Sequence, residues 1–570
     1  MGLAYAAVMT GTPELTRRER EVLQELVHPV TDAGEAFTEA ASVKVIAQRL
    51  FVSEAAVKQH LLRLYDKFEI YDDVPGRRRV RLANEVLHRG ALASGGEGDP
   101  GLLTSARHAY ARRAWAAAAD AFARADAADP LGAADLLTWG AAAMWSDQHG
   151  ACVAAWERAY ARFVQEGNPV GEAEAAIGLA ISGMARQNFA VVGGWITTAK
   201  RALGTLADAT VVHADLAALE AIAAAANGDP DATLASARFA KETGAATGNA
   251  DAQALGMVME GFASTRLGRV EDGLALLDEA MTFAGSRELG PLARGLVYCR
   301  TIVACLGLWD FRRASDWTDE AQRREAGGEN GFAGDCLTHR AALRFVRGEW
   351  DEAERDAEAA CTAAQVFDLN HVAEAIYSIG EIKLRRGEFE VAEQRFRQAA
   401  EMSHLAQPGL SLLLMARGDT EAAAASIGAV LGGIPAGDPL TRAALLPARV
   451  SIAIAAGDVE TAGMCAAELD GVAERFGTLA LRAAAAAAAG AVELSRAQHT
   501  RALASWRAAS KGWAEVGAPY ESARARVGVA QALMALGDRG GAAIELEVAS
   551  ATFERLGARP DLDSMADLLA

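Results

Sequence analysis

The chain has few of the residues that interrupt helices or build sheets: 14 prolines in 570 residues and 6% aromatics. So little proline and so few aromatic side chains argue against a β-sandwich or barrel, and the abundance of alanine, leucine, glutamate and arginine favours packed helices. No run of about 18 apolar residues is present, which removes the expectation of a membrane span. The apolar start MGLAYAAVM lacks a basic flank and meets Gly11-Thr12-Pro13, so it does not read as a secretory signal, and a cytoplasmic location is expected.

Reactive-site signatures are missing as well. There is no GxxxxGK[ST] phosphate loop, no HExxH, no GxSxG and no dinucleotide-binding glycine pattern. The six cysteines, Cys152, Cys299, Cys305, Cys336, Cys361 and Cys465, show no CxxC spacing, and lone histidines such as His339 and His371 read as core or surface residues. The expectation is therefore a protein that is not an enzyme, with no catalytic residue, no metal site and no cofactor.

What is present divides the chain electrically. The net charge is -19, but residues 44 to 89 hold 10 basic against 6 acidic residues. A strongly acidic surface repels nucleic acid over most of its area, so any DNA contact must come from the N-terminal region. There, FVSEAAVKQHLLRLYDKF (51 to 68) places Val57, Leu61, Leu64 and Phe68 on one helical stripe, with Ser53 as cap. The opposite face carries Glu54, Ala55, Lys58, Gln59, Arg63 and Lys67. VKVIAQRL (43 to 50) supplies a preceding short helix, and LTRREREVLQELV (15 to 27) another, with Val22, Leu23 and Leu26 inward. The pair reads as a helix-turn-helix.

LTRREREVL, IAQRLFVSEAAVKQHL and LYDKFEI together resemble the DNA-binding domain of LuxR-type regulators. The resemblance implies double-stranded DNA as partner, read by Glu54, Ala55, Lys58, Gln59, His60, Arg63 and Lys67, and operators of two half-sites imply a homodimer. Arg77, Arg78 and Arg79, at the start of a helix whose dipole they oppose, add a phosphate-binding cluster.

After a Gly-rich linker (91 to 101), self-similarity dominates. IGEIKLRRGEFEVAEQRFRQAA (379 to 400) matches RAALRFVRGEWDEAERDAEAA (340 to 360) and EGFASTRLGRVEDGLALLDEA (260 to 280) in having a helix, a turn residue and a second helix. The turn marker recurs at Arg113, Asp147, Gln187, Gly228, Gly268, Trp309, Gly348, Gly387, Gly418, Gly457, Ala497 and Gly537, with a nearly constant step for most of the series. Twelve markers predict about twelve helical hairpins over 102 to 570.

The unit around Gly380, Gly387, Ala392, Phe396 and Ala399 resembles a tetratricopeptide repeat, and the longer period is similar to the repeats of MalT-like regulators. The resemblance implies an all-α chain: a helix-turn-helix domain over 1 to 90 and an α-solenoid whose first helices line a groove. In that groove Phe262, Arg266, Glu374, Tyr377, Glu381 and Arg385 would meet a protein, peptide or small-molecule signal. Tryptophans such as Trp156, Trp317, Trp350 and Trp506 read as core. Two functions follow: a DNA-binding regulator whose solenoid senses a signal, or a scaffold whose helix-turn-helix contacts protein.

Overall fold

The computed structural model describes Glu19, Val22, Leu23, Leu26, 43–49, 54–68, Ile70, Leu82 and 101–569, the last without 187, 207, 287–288, 326–332, 364–368 and 404–405. Every regular element among these residues is an α-helix, and none is long and apolar enough to cross a membrane. The chain forms two compact units, Met1–Pro130 and Leu131–Ala570.

In the first unit, helices Val43–Arg49 and Glu54–Lys67 share an apolar core with Val22, Leu23 and Leu26. Ile46, Ala47, Val57, Leu61, Leu64 and Phe68 are all buried, as their helical spacing requires. The unit also contains the hairpin Leu102–Ala111 and Trp115–Ala128. The expected Arg77–Arg79 cluster, the linker up to residue 100 and the Gln187 turn lie outside the described residues.

The second unit is a TPR-like solenoid: among the described residues, eleven helical hairpins run from Ala133–Trp145 with His149–Glu166 to Pro519–Ala535 with Arg539–Leu556, and Arg559–Leu569 follows. Each described marker in either unit has a left-handed backbone. The glycines take φ of 71° to 86°, and Arg113, Asp147, Trp309 and Ala497 take 56° to 59°. This one left-handed residue reverses the chain, and an acidic cap often starts the next helix: Asp229, Asp458 and Asp538 each accept a bond from an amide three residues on. First helices are covered on both flanks; Ala250–Arg266 buries Met257, Val258 and Met259 in a row. Second helices bury one stripe, as in Phe389–Ser403 with Ala392, Phe396 and Ala399.

Hairpins interlock by pushing one aromatic ring of a second helix between glycines of two first helices. Trp156 lies between Gly140 and Gly178, Phe396 between Gly380 and Gly409, and Trp506 between Gly490 and Gly528. A Cβ on Gly528 would stand 2.3 Å from the Trp506 ring. Glycine here is a requirement of close approach, and the ring fills the space completely.

Successive turns of the superhelix also touch. Arg266 Nη2 meets Asp438 Oδ1 at 2.6 Å, a pair 172 positions apart in the chain. Thr478 Oγ1 donates to the Leu308 carbonyl at 2.7 Å, and Arg475 Nη2 donates to the Leu267 carbonyl at 3.0 Å. Further on, Gly348 abuts Pro519 and Gly387 abuts Pro560. The stretch between Arg266 and Asp438 is a little over four hairpins. The superhelix therefore closes a turn on itself, and the turn inside one hairpin seats on the start of another hairpin one superhelical turn later.

Replacing Gly528 by Ala is expected to lower stability by about 1–3 kcal/mol through overpacking against Trp506. Gly471, mid-helix with no atom near its absent Cβ, should gain about 0.5–1 kcal/mol on replacement by Ala. Thermal and urea midpoints of the two variants check the pair.

Candidate functional site

The first helices face inward, and those of the first superhelical turn enclose a cavity of about 400 Å³. Its wall draws on Ala133–Trp145, Pro169–Ala185, Val211–Ala226, Ala250–Arg266 and Pro291–Gly307, with His371 from Leu369–Arg386. Ile177, Ile181, Leu219 and Leu296 make most of the surface apolar, and Glu174, Asp215 and Asp251 bring three carboxylates to it. These acids come from three consecutive first helices, each a whole hairpin from the next; Arg300 is on the first helix that follows, and His371 reaches the same wall from two hairpins further on.

The carboxylates are not equivalent. Asp251 Oδ1 accepts from the Gly290 amide at 2.9 Å, and Asp215 accepts from Asn249 Nδ2 at 2.7 Å. Burial raises the pKa of Asp215, with the Asn249 bond opposing and the Asp251 charge adding to the rise. Burial and then the Asp215 charge raise Glu174. An apolar wall with crowded carboxylates favours a ligand that brings a cation on an apolar stem.

Beside this cavity three polar side chains converge from three successive hairpins. Cys299, His339 and His371 are 6%, 2% and 9% exposed, and their donor atoms lie within 4.8 Å of one another. Cys299 Sγ and His371 Nε2 are 3.8 Å apart, and the imidazoles meet edge to face at 5.3 Å. Sequence spacing does not point to this group. Its members stand a hairpin apart in the chain, a spacing that matches no short metal-ligand motif, and the superhelix alone joins them.

The residues expected in a groove are placed differently from one another. Phe262 packs half-buried against the core around Met257 and Val258. Arg266 is the inter-turn brace to Asp438, which is the first departure from the expectation. Glu374 is exposed. Tyr377 packs at a tilt against Phe396, ring centroids 5.2 Å apart; its hydroxyl accepts from the Gly409 amide at 2.9 Å and donates to Glu381 at 3.5 Å. Burial raises the pKa of Glu381. Arg385 is the second departure: it sits 4.4 Å from the Phe345 ring and 4.1 Å from that of Tyr520, and pairs with Glu521 at 3.0 Å. It joins two turns of the superhelix instead of facing an open groove.

On the Glu54–Lys67 helix, Glu54, Ala55, Lys58, Gln59 and Arg63 are exposed together. His60 is half-buried, with Nδ1 enclosed and lacking a hydrogen-bond partner. Lys67, assigned above to the DNA-facing set, is instead bound to the buried carboxylate of Glu19 at 2.8 Å.

No protein-family model matches the chain, and no curated protein does. Solved structures similar to it include one described as the crystal structure of the APC/C hetero-tetramer Cut9–Hcn1, at 12% identity and TM-score 0.34 over 82% of this chain and 96% of that one. A tetratricopeptide repeat protein from Parabacteroides merdae is similar at 15% identity and TM-score 0.27, over 56% and 99% respectively. The TPR-like architecture is carried by the chain's own helix geometry.

Because Arg385 is one-fifth exposed and holds Glu521 and two rings together, Arg385→Ala is expected to cost about 3 kcal/mol. Arg385→Lys should recover only part of this, since an ammonium lacks the planar stacking surface. Urea unfolding of the two variants, with small-angle scattering to follow loosening of the turns, checks the expectation.

Proposed function

We propose that the protein is a scaffold without chemistry of its own, which holds a partner polypeptide by a basic residue with apolar flanks in the interior of its first superhelical turn. The observation that carries this reading is the cavity itself: an apolar wall from five first helices with Glu174, Asp215 and Asp251 gathered on it. A lysine or arginine stem matches the wall and its charge matches the acids, while a volume near 400 Å³ suits one or two side chains. A free metabolite anion would face three carboxylates against the single guanidinium of Arg300.

A photo-crosslinking residue at Ile181, inside the cavity, is expected to capture polypeptide in cells, with the attached segment rich in basic and apolar residues. The same residue at the exposed Ile544 should not enrich that segment. Glu174→Gln with Asp215→Asn should weaken binding of the captured segment at least about tenfold, the loss of roughly one charge-assisted bond. Acidification should release the segment: the carboxylates must be ionised to hold a cation, and because both have raised pKa values they protonate at a higher pH than exposed acids do. Adducts of acidic sequence, or no polypeptide adduct at Ile181, would overturn the reading.

A second reading is favoured by the common exposure of Lys58, Gln59 and Arg63 on a helix anchored by Val57, Leu61 and Leu64. In it, the first unit binds duplex DNA and the scaffold is a regulator. Under this reading Lys58→Ala with Arg63→Ala abolishes salt-sensitive retention of DNA fragments and leaves crosslinking at Ile181 intact. No retention by the unaltered chain at low salt leaves the scaffold reading alone.

A further inference from the structure

We infer that Cys299, His339 and His371 form a binding site for one zinc-type divalent cation, which fastens three successive hairpins of the superhelix together. One thiol and two imidazoles are a donor set suited to this class of ion, and to no hard cation such as magnesium or calcium. The geometry is close to that of a bound site. Tetrahedral bonds of about 2.3 Å to sulfur and about 2.0 Å to nitrogen put the two donors about 3.5 Å apart; Cys299 Sγ and His371 Nε2 are already 3.8 Å apart.

A second observation points the same way. Both ring nitrogens of His339 are buried without a hydrogen-bond partner, although the residue is only 2% exposed. An imidazole deprived of water and of protein partners is costly, and a structural histidine is normally satisfied at one nitrogen at least. Coordination at one nitrogen removes much of that cost.

The donors lie on Pro291–Gly307, Ala333–Val346 and Leu369–Arg386, the first helices of three consecutive hairpins. On binding, the Cys299 thiol loses its proton to solvent and the thiolate coordinates the dication, so the site gains a single net positive charge. Arg300 is the cation that opposes this. The carboxylates of the adjoining cavity, Asp251 among them, are the anions that favour it. Because Cys299 and His371 line the cavity as well, the fourth coordination position falls to water or to a donor entering from that side.

The test uses the full chain, stripped with chelator and titrated with cobalt(II), then zinc(II). Saturation at one cobalt per chain is expected, with a thiolate-to-cobalt charge-transfer band and the intense visible bands of a four-coordinate ion, both lost on adding zinc. The thermal midpoint should rise with zinc concentration as ligand linkage requires. Cys299→Ser should remove the charge-transfer band and His339→Gln should weaken binding at least about tenfold, while the half-buried Cys465 can be changed to Ser without effect. The unaltered chain decides the matter even if a variant fails to fold: no charge-transfer band, a weak six-coordinate spectrum, or no rise in the midpoint with zinc overturns the site.

Discussion

A single left-handed residue between two helices, repeated at every described turn marker, is the constraint on which the rest depends. It sets how each second helix returns along its first, and hence the small rotation from one hairpin to the next. Alanine and glycine then decide how near the helices can come. With an aromatic ring pressed between glycines of neighbouring first helices, as for Trp156 and Trp506, the rotation has little room to vary, and a constant rotation accumulates into a superhelix.

That accumulation has chemical consequences. A turn that closes after a little over four hairpins puts the first helix at 133 close to those at 291 and 369, so residues from remote parts of the chain share one interior. Glu174, Asp215 and Asp251, already stacked on adjoining first helices, share that interior with His371 from further along the chain. The same closure brings the two turns into contact, where Arg266 and Arg385 exchange much of the solvent they would meet in an open solenoid for carboxylates and aromatic faces, and the exposed Arg475 reaches a carbonyl of the neighbouring turn. An array that contacts only its nearest repeats is free to flex along its whole length. One braced across its turns is stiffer and has an enclosed interior, which suits capture of a side chain better than a long shallow embrace.

The first unit works on different physics. Among the described residues its core runs from Val22 to Leu82, and its exposed polar face gathers Lys58, Gln59 and Arg63. The exposure of that face is a local property of one amphipathic helix. Lys67 belongs to the same face by spacing, yet it pairs with the buried carboxylate of Glu19, which would be costly to leave without a partner.

Local structure was legible in the residues alone, because it is decided within a few positions of the chain. Helical periodicity placed Val57, Leu61, Leu64 and Phe68 in a core, and the recurring marker located the turns even at Arg113, Asp147, Trp309 and Ala497, where the residue is not glycine but the backbone is still left-handed. Pitch was not legible. A small difference in rotation per hairpin separates an open groove from a closed turn, and no single residue encodes it. It arises from summed packing along many helices, and only that sum decided that Arg385 would be an internal brace; that three acids would share a cavity and that one cysteine and two histidines would meet was decided by the stacking of adjoining hairpins, a tertiary contact that no local pattern records.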